Sequence, residues 1–147
     1  MGIKDLPLNE LTLRKYEKPY DSNKRELTKK VCLSLGLLQP GDSRDVVVDI
    51  LMSLDNARTE RKELTSFEII DKVKELRKEY SLEIKGVAES NIRRQLKRLR
   101  DLMIIDKKNN LYRLSEFEPL SDIFEKKIEG FLIPQTVERI KEYLERL

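Results

Sequence analysis

Apolar residues recur along this chain with two periods, and the switches between them mark its elements. Ile92, Leu96, Leu99 and Leu102 stand at steps of four, three and three, which puts them on one stripe of a helix over 88–102. Upstream, a helix capped by Asp21 or Ser22 is predicted to run to about Leu38, with Leu27, Val31, Cys32, Leu35 and Leu38 on one face. Gln39-Pro40-Gly41 breaks it. Asp42 and Ser43 open the next helix, where Val46, Val47, Ile50, Leu51 and Leu54 form the buried face and Asp45 suits the positive end of the dipole. A polar stretch and a short segment over 62–64 lead to Thr65-x-x-Glu68. This is a capping box ahead of a helix with Phe67, Ile70, Val73, Leu76 and Tyr80 on its inner face. Residues 81–87 read as a turn in which Gly86 relieves backbone strain.

Beyond the 88–102 helix, Met103-Ile104-Ile105 and Leu111-Tyr112-Arg113-Leu114 read as two strands joined by a polar turn over 106–110. Two helices follow. One runs over 115–128 with Leu120, Ile123, Phe124 and Ile128 on one face, and Gly130 stops it. The other restarts at Pro134, and its Val137, Ile140, Leu144 and Leu147 match a heptad seam. The first twenty residues hold no period and read as an extended arm. Its Leu6, Leu8, Leu11, Leu13 and Tyr16 are available to lie on a body or a partner. The fold class is therefore mainly α with a small β-hairpin. It divides into an N-terminal arm and helix (1–41), a central domain (42–114) and a C-terminal helical extension (115–147).

Composition adds an electrostatic pattern. Of 147 residues, 39% are hydrophobic, enough for one modest core, and 39% are charged, well above the roughly 25% of an ordinary protein. The net charge of +3 hides an uneven distribution. Residues 88–113 carry eight Lys/Arg against three Asp/Glu, whereas residues 114–147 carry five against eight. The other faces of the 88–102 helix hold Ser90, Asn91, Arg93, Arg94, Gln95, Lys97, Arg98 and Arg100. Arg can grip guanine O6 and N7, and Asn or Gln can read adenine, so this cationic surface suits DNA. The competing reading of any charge run is a solvated helix face.

The chain has no histidine, so it lacks the commonest general base and metal ligand. Its five glycines form no phosphate-binding loop, and its single cysteine, Cys32, permits no intramolecular disulfide. The expectation is a protein that is not an enzyme, with no cofactor and no metal. No apolar run approaches a membrane span and the start lacks a signal-peptide stretch, so a cytoplasmic location is expected.

The order helix, short strand, helix, turn, basic helix, strand, lysine-bearing turn, strand resembles the winged helix-turn-helix domain of DNA-binding transcription regulators, most closely those of archaeal type. The resemblance covers about residues 42–114, and its most specific stretch runs from Ser90 to Ile105. It departs from the family pattern at Met103, where many members carry glycine, and in a hairpin tip without glycine. The resemblance implies that the 88–102 helix enters the major groove of duplex DNA and presents Ser90, Asn91, Arg93, Arg94 and Lys97, with Arg98 further round. Lys107, Lys108 and Arg113 would hold phosphates from the wing. It also implies sequence-specific duplex binding in transcription regulation, with contacts to the transcription machinery compatible with that role. A homodimer through the terminal helices is expected, because a single winged helix reads few bases. The alternative is a winged-helix protein-interaction module inside a larger, DNA-associated assembly, since fold alone does not decide function.

Overall fold

A helix of fourteen residues, α2 (Val46–Thr59), lies at the centre of the computed structural model, which describes residues 2–147. Every residue from Val46 to Leu54 is buried, Asp49 and Ser53 included. Its sequence suggests one apolar face, but neighbours pack on every side of it, as befits a helix apolar nearly all round. These neighbours are α1 (Lys24–Ser34), α3 (Ser66–Glu79), α4 (Glu89–Asp101) and the sheet. One continuous core joins them: Cys32, Leu33 and Leu35 from the α1 end, Ile69 and Val73 from α3, Ile92, Leu96 and Leu99 from α4. Ile123, Ile128 and Leu132 from the C-terminal helix complete it.

Helix starts follow from local chemistry, with shifts from expectation. α1 is capped by Asn23, whose Oδ1 accepts the Glu26 N–H at 2.9 Å, rather than by Asp21 or Ser22. α2 begins at Val46, later than Asp42 and Ser43 suggest. Asp45 stands at its N-cap but makes no side-chain cap bond, because Arg25 and Arg77 hold its carboxylate. The capping box of α3 forms as expected: Thr65 Oγ1 accepts the Glu68 N–H, and Glu68 accepts the Thr65 N–H at 2.9 Å. Phe67, expected inward, is 57% exposed, and Ile69 takes the buried position instead.

Helix ends share one device. The N–H groups of Leu37, Lys62, Leu82 and Ile104 reach back five residues to the carbonyls of Cys32, Ala57, Arg77 and Leu99. This is the 6→1 bond of a Schellman turn, repeated after α1, α2, α3 and α4. Each needs a left-handed residue just before the donor. Gly36 supplies it after α1, while Arg61, Ser81 and Met103 supply it elsewhere with φ of 52°, 55° and 61°. The first of these turns ends α1 at Ser34, short of the expected Leu38, and tucks Leu37 and Leu38 into the core. The last occupies the position where the resembled family often carries glycine.

The sheet has three strands in the order β1-β3-β2, all antiparallel: β1 (Leu64–Thr65), β2 (Ile105–Lys108) and β3 (Leu111–Leu114). Leu64 pairs with Tyr112, and Ile105 with Leu114. The hairpin is shifted from the expected one. Met103 is in the left-handed turn, so the first strand starts at Ile105 and runs through Lys108, leaving only Asn109 and Asn110 at the tip. Asn109 takes φ 58°, which its short amide side chain tolerates.

The C-terminal extension corrects a further expectation. Gly130 does not stop the helix. α5 (Leu120–Ile123) continues through π-helical turns over Phe124–Leu132 into α6 (Ile133–Leu144). A proline ring clashes with the carbonyl four residues before it in an α-helix. Wider turns just ahead of Pro134, with the Ile133 N–H donated to Ile128 five residues back, let the rod pass the proline unbroken. A Cβ at position 130 would lie 2.9 Å from the Glu125 carbonyl oxygen, so glycine fits this widened stretch. At the other end, Leu11 and Tyr16 of the arm pack on the core, while Leu6, Leu8 and Leu13 stay exposed. Arg14 anchors the arm by donating to the Leu33 and Leu38 carbonyls at 2.9 and 3.3 Å.

Candidate nucleic-acid interface

The outer side of α4 carries four exposed cations, Arg93, Arg94, Lys97 and Arg100. Ile92, Leu96 and Leu99 are fully buried, so the opposite face, centred on Ser90, Arg94, Lys97 and Asp101, is turned to solvent. The loop that leads into this helix is held from both sides. Arg77 Nε donates to the Glu83 carbonyl at 2.6 Å, and Asn91 Nδ2 donates to the Gly86 carbonyl at 2.8 Å. Gly86 itself is left-handed, with φ 73°.

The residues proposed for contact have different local duties. Arg94 and Ser90 are exposed and make no side-chain hydrogen bond or ion pair among the described residues. Arg93 pairs with Glu89 at 2.7 Å and Lys97 with Asp101 at 3.3 Å, both exposed one-turn pairs of small energetic worth. Asn91 is held by Gly86 and by Gln95, whose Nε2 donates to Asn91 Oδ1 at 3.3 Å. Arg98 is half-buried and donates to the Gly36 carbonyl at 2.9 Å and to Gln95 Oε1 at 2.8 Å. It ties α4 to the turn after α1. On the hairpin, Lys107 and Lys108 are exposed on β2, with the Lys107 ammonium 5.7 Å from the Tyr112 ring centroid. Arg113 pairs with Asp106 at 3.1 Å and stacks over Phe117 at 4.9 Å. The structure thus brings Ser90, Arg93, Arg94 and Lys97 to one solvent-facing helix surface and sets Asn91, Arg98 and Arg113 to internal tasks.

Two features of this region carry no local sequence signal. A cleft of about 540 Å³ beside α4 is lined by Arg44, Lys85, Asn91, Arg94 and Arg98 together with Asp42 and Asp45. Arg44 and Lys85 lie in loops, paired with Asp42 at 3.3 Å and Glu83 at 3.7 Å, and only tertiary folding places them beside Arg94. The second is a buried square of charges behind that cleft. Arg25 donates to Asp49 at 2.9 Å and to Asp45 at 3.1 Å, while Arg77 donates to Asp49 at 2.7 Å and to Asp45 at 3.1 Å. Two cations and two anions balance, and the square clamps α1, α2 and α3 together. Burial alone would raise the Asp45 carboxyl, but Arg25 and Arg77 outweigh it and hold that group below the usual carboxylate range.

Cys32 offers no reactive thiol: complete burial pushes its pKa up to about 12. No cluster of metal-ligating side chains is found among the described residues, and no described helix is long and apolar enough to cross a membrane. No family model, curated protein or solved structure matches the chain.

Proposed function

We propose that this chain is a winged helix-turn-helix protein that binds duplex DNA sequence-specifically and regulates transcription. The reading places α4 in the major groove and the β2–β3 hairpin on the backbone. The observation that carries it is the outer face of α4. There Arg94, unpaired among the described residues, stands between Ser90 and Lys97, with Arg93 alongside, on a helix whose opposite stripe is locked into the core. The element order α2, β1, α3, α4, β2, β3, with β3 between its two neighbours, supports the same reading. Exposed Lys107 and Lys108 suit phosphates, which position a protein without specifying a base.

Fluorescence anisotropy with duplex, single-stranded DNA and RNA tests this, using duplexes enriched from a random pool. Duplex affinity should exceed the others and fall steeply with salt, with a log–log slope of about −4 to −7 for roughly five to eight neutralised phosphates. Failure to bind any duplex at low salt sinks the proposal. A second reading, a winged-helix module that docks proteins in a DNA-associated assembly, draws on the exposed Leu6, Leu8 and Leu13 of the arm. Loss of duplex binding with retention of a folded chain would favour it.

A further inference from the structure

Two apolar surfaces of this chain have no partner among the described residues. The first is a groove of about 620 Å³ between the arm, α1 and the start of the C-terminal helix. Leu27 and Val31 of α1 and Phe124 of the π-helical stretch line it and are each more than a third exposed. The second is the stripe of α6 formed by Val137, Ile140, Tyr143 and Leu144, continued by Leu147. No residue of α6 is buried, and these five are 44% to 101% exposed.

The stripe cannot reach the groove of its own chain. Leu120, Ile123, Phe124 and Ile128, which form one wall of the groove, belong to the same unbroken rod as α6. At about 1.5 Å per residue, Leu144 lies roughly 30 Å along that rod from Phe124. A rod does not fold back on itself. In a second copy related by a two-fold axis, an antiparallel rod brings the far end of α6 to the other chain's groove, and the exchange is reciprocal.

We propose that the chain forms a two-fold dimer in which the α6 stripe of each copy seats in the apolar groove of the other. The exposed portions of the residues named amount to on the order of 800 Å² per chain, at roughly 150–250 Å² for each large side chain. That is the contribution per partner of a standard stable interface. The charges that flank the stripe, Glu138, Arg139, Lys141, Glu142, Glu145 and Arg146, are of both signs and fit a polar rim. The groove contains no residue of α4, so this proposal stands apart from the DNA reading and its readout needs no DNA.

The test uses the full chain. Light scattering at micromolar concentration should give a dimer. Ile140→Glu with Leu144→Glu, and separately Leu27→Glu with Val31→Glu, should each weaken dimerisation by at least about 100-fold while circular dichroism stays helical. Mixing the single variants Val31→Cys and Leu144→Cys under oxidising conditions should give a mixed disulfide between the two chains, with buried Cys32 silent in the parent. A parent chain that stays monomeric at about 100 µM overturns the proposal, and an apolar small molecule co-purifying with that monomer would name the groove's real occupant. A dimer that ignores the Leu27 and Val31 substitutions, with Leu144→Cys linking only to itself, also overturns it, because α6 would then pair with α6.

Discussion

Ser81 holds a backbone angle that costs it energy and gains nothing from its side chain. It is exposed, has φ 55° and makes no side-chain hydrogen bond among the described residues. A non-glycine residue in the left-handed region is disfavoured by about 1–2 kcal/mol, and glycine returns part of that gain through unfolded-state entropy. Ser81→Gly should therefore stabilise the chain by about 0.5–1 kcal/mol, read as a higher urea midpoint at unchanged slope. The same change at Met103 removes a side chain packed against the core, and at Arg61 it removes a cation 5.3 Å from the Phe117 ring, so neither should give the full benefit. The buried charge square behaves oppositely. Asp49 is 0% exposed and accepts from both Arg25 and Arg77, so Asp49→Asn should cost about 3–5 kcal/mol by leaving excess buried positive charge. Asp45, held below the usual carboxylate range, gives the pH signature. Its contribution is complete above the unfolded carboxyl value and fades as pH falls through the lower folded one. Stability should drop on acidification below about pH 4, and Asp45→Asn should flatten that slope in urea titrations at several pH values.

At the scale of elements, α4 was the most legible part of the sequence. Its four-residue apolar stripe is long, regular and uninterrupted, and the structure buries all four members. Capping by Thr65 and Glu68 was equally plain, because both halves of that motif lie within four residues. Phe67 and the limits of α1 and β2 were misplaced for a common reason. Each depends on where a left-handed turn or a neighbouring element sits, and three of the four helix-ending turns use Arg, Ser or Met with no glycine to announce them. Of the candidate contact residues, type and exposure were legible, but occupation was not. That Arg98 is bound to Gly36, sixty-two positions away, has no trace in local pattern. The distinction sharpens the mutational expectation on α4. Arg94→Ala should cost about 1–3 kcal/mol on a preferred duplex and relax its base preference, whereas Lys108→Ala should weaken preferred and random duplexes alike. Arg93→Ala should cost less than Arg94→Ala, because Glu89 already holds its guanidinium. Anisotropy on both duplex types checks this, and equal losses for Arg94→Ala on the two would remove α4 as the reader.

At the scale of the whole molecule, the three segments legible in the sequence share one core, with Cys32, Leu51 and Ile128 in the same cluster. Tertiary contact between distant segments is what periodicity omits, and the buried charge square and the apolar groove both arise that way. The continuous C-terminal rod shows a further kind of information that residue identity does not hold. Turns closed by bonds to the fifth residue contain more residues than those closed by bonds to the fourth. The π-helical stretch over Phe124–Leu132 therefore acts as a phase shifter between the wall of the groove and the stripe of α6. A helical wheel drawn for a uniform helix misstates the angle between Phe124 and Val137. Removing a single uncharged residue from that stretch would keep every other side chain and every charge, yet turn the whole distal half of the rod to a new bearing. The surface that this molecule offers at its C-terminal end is thus encoded by a count of residues as much as by their chemistry.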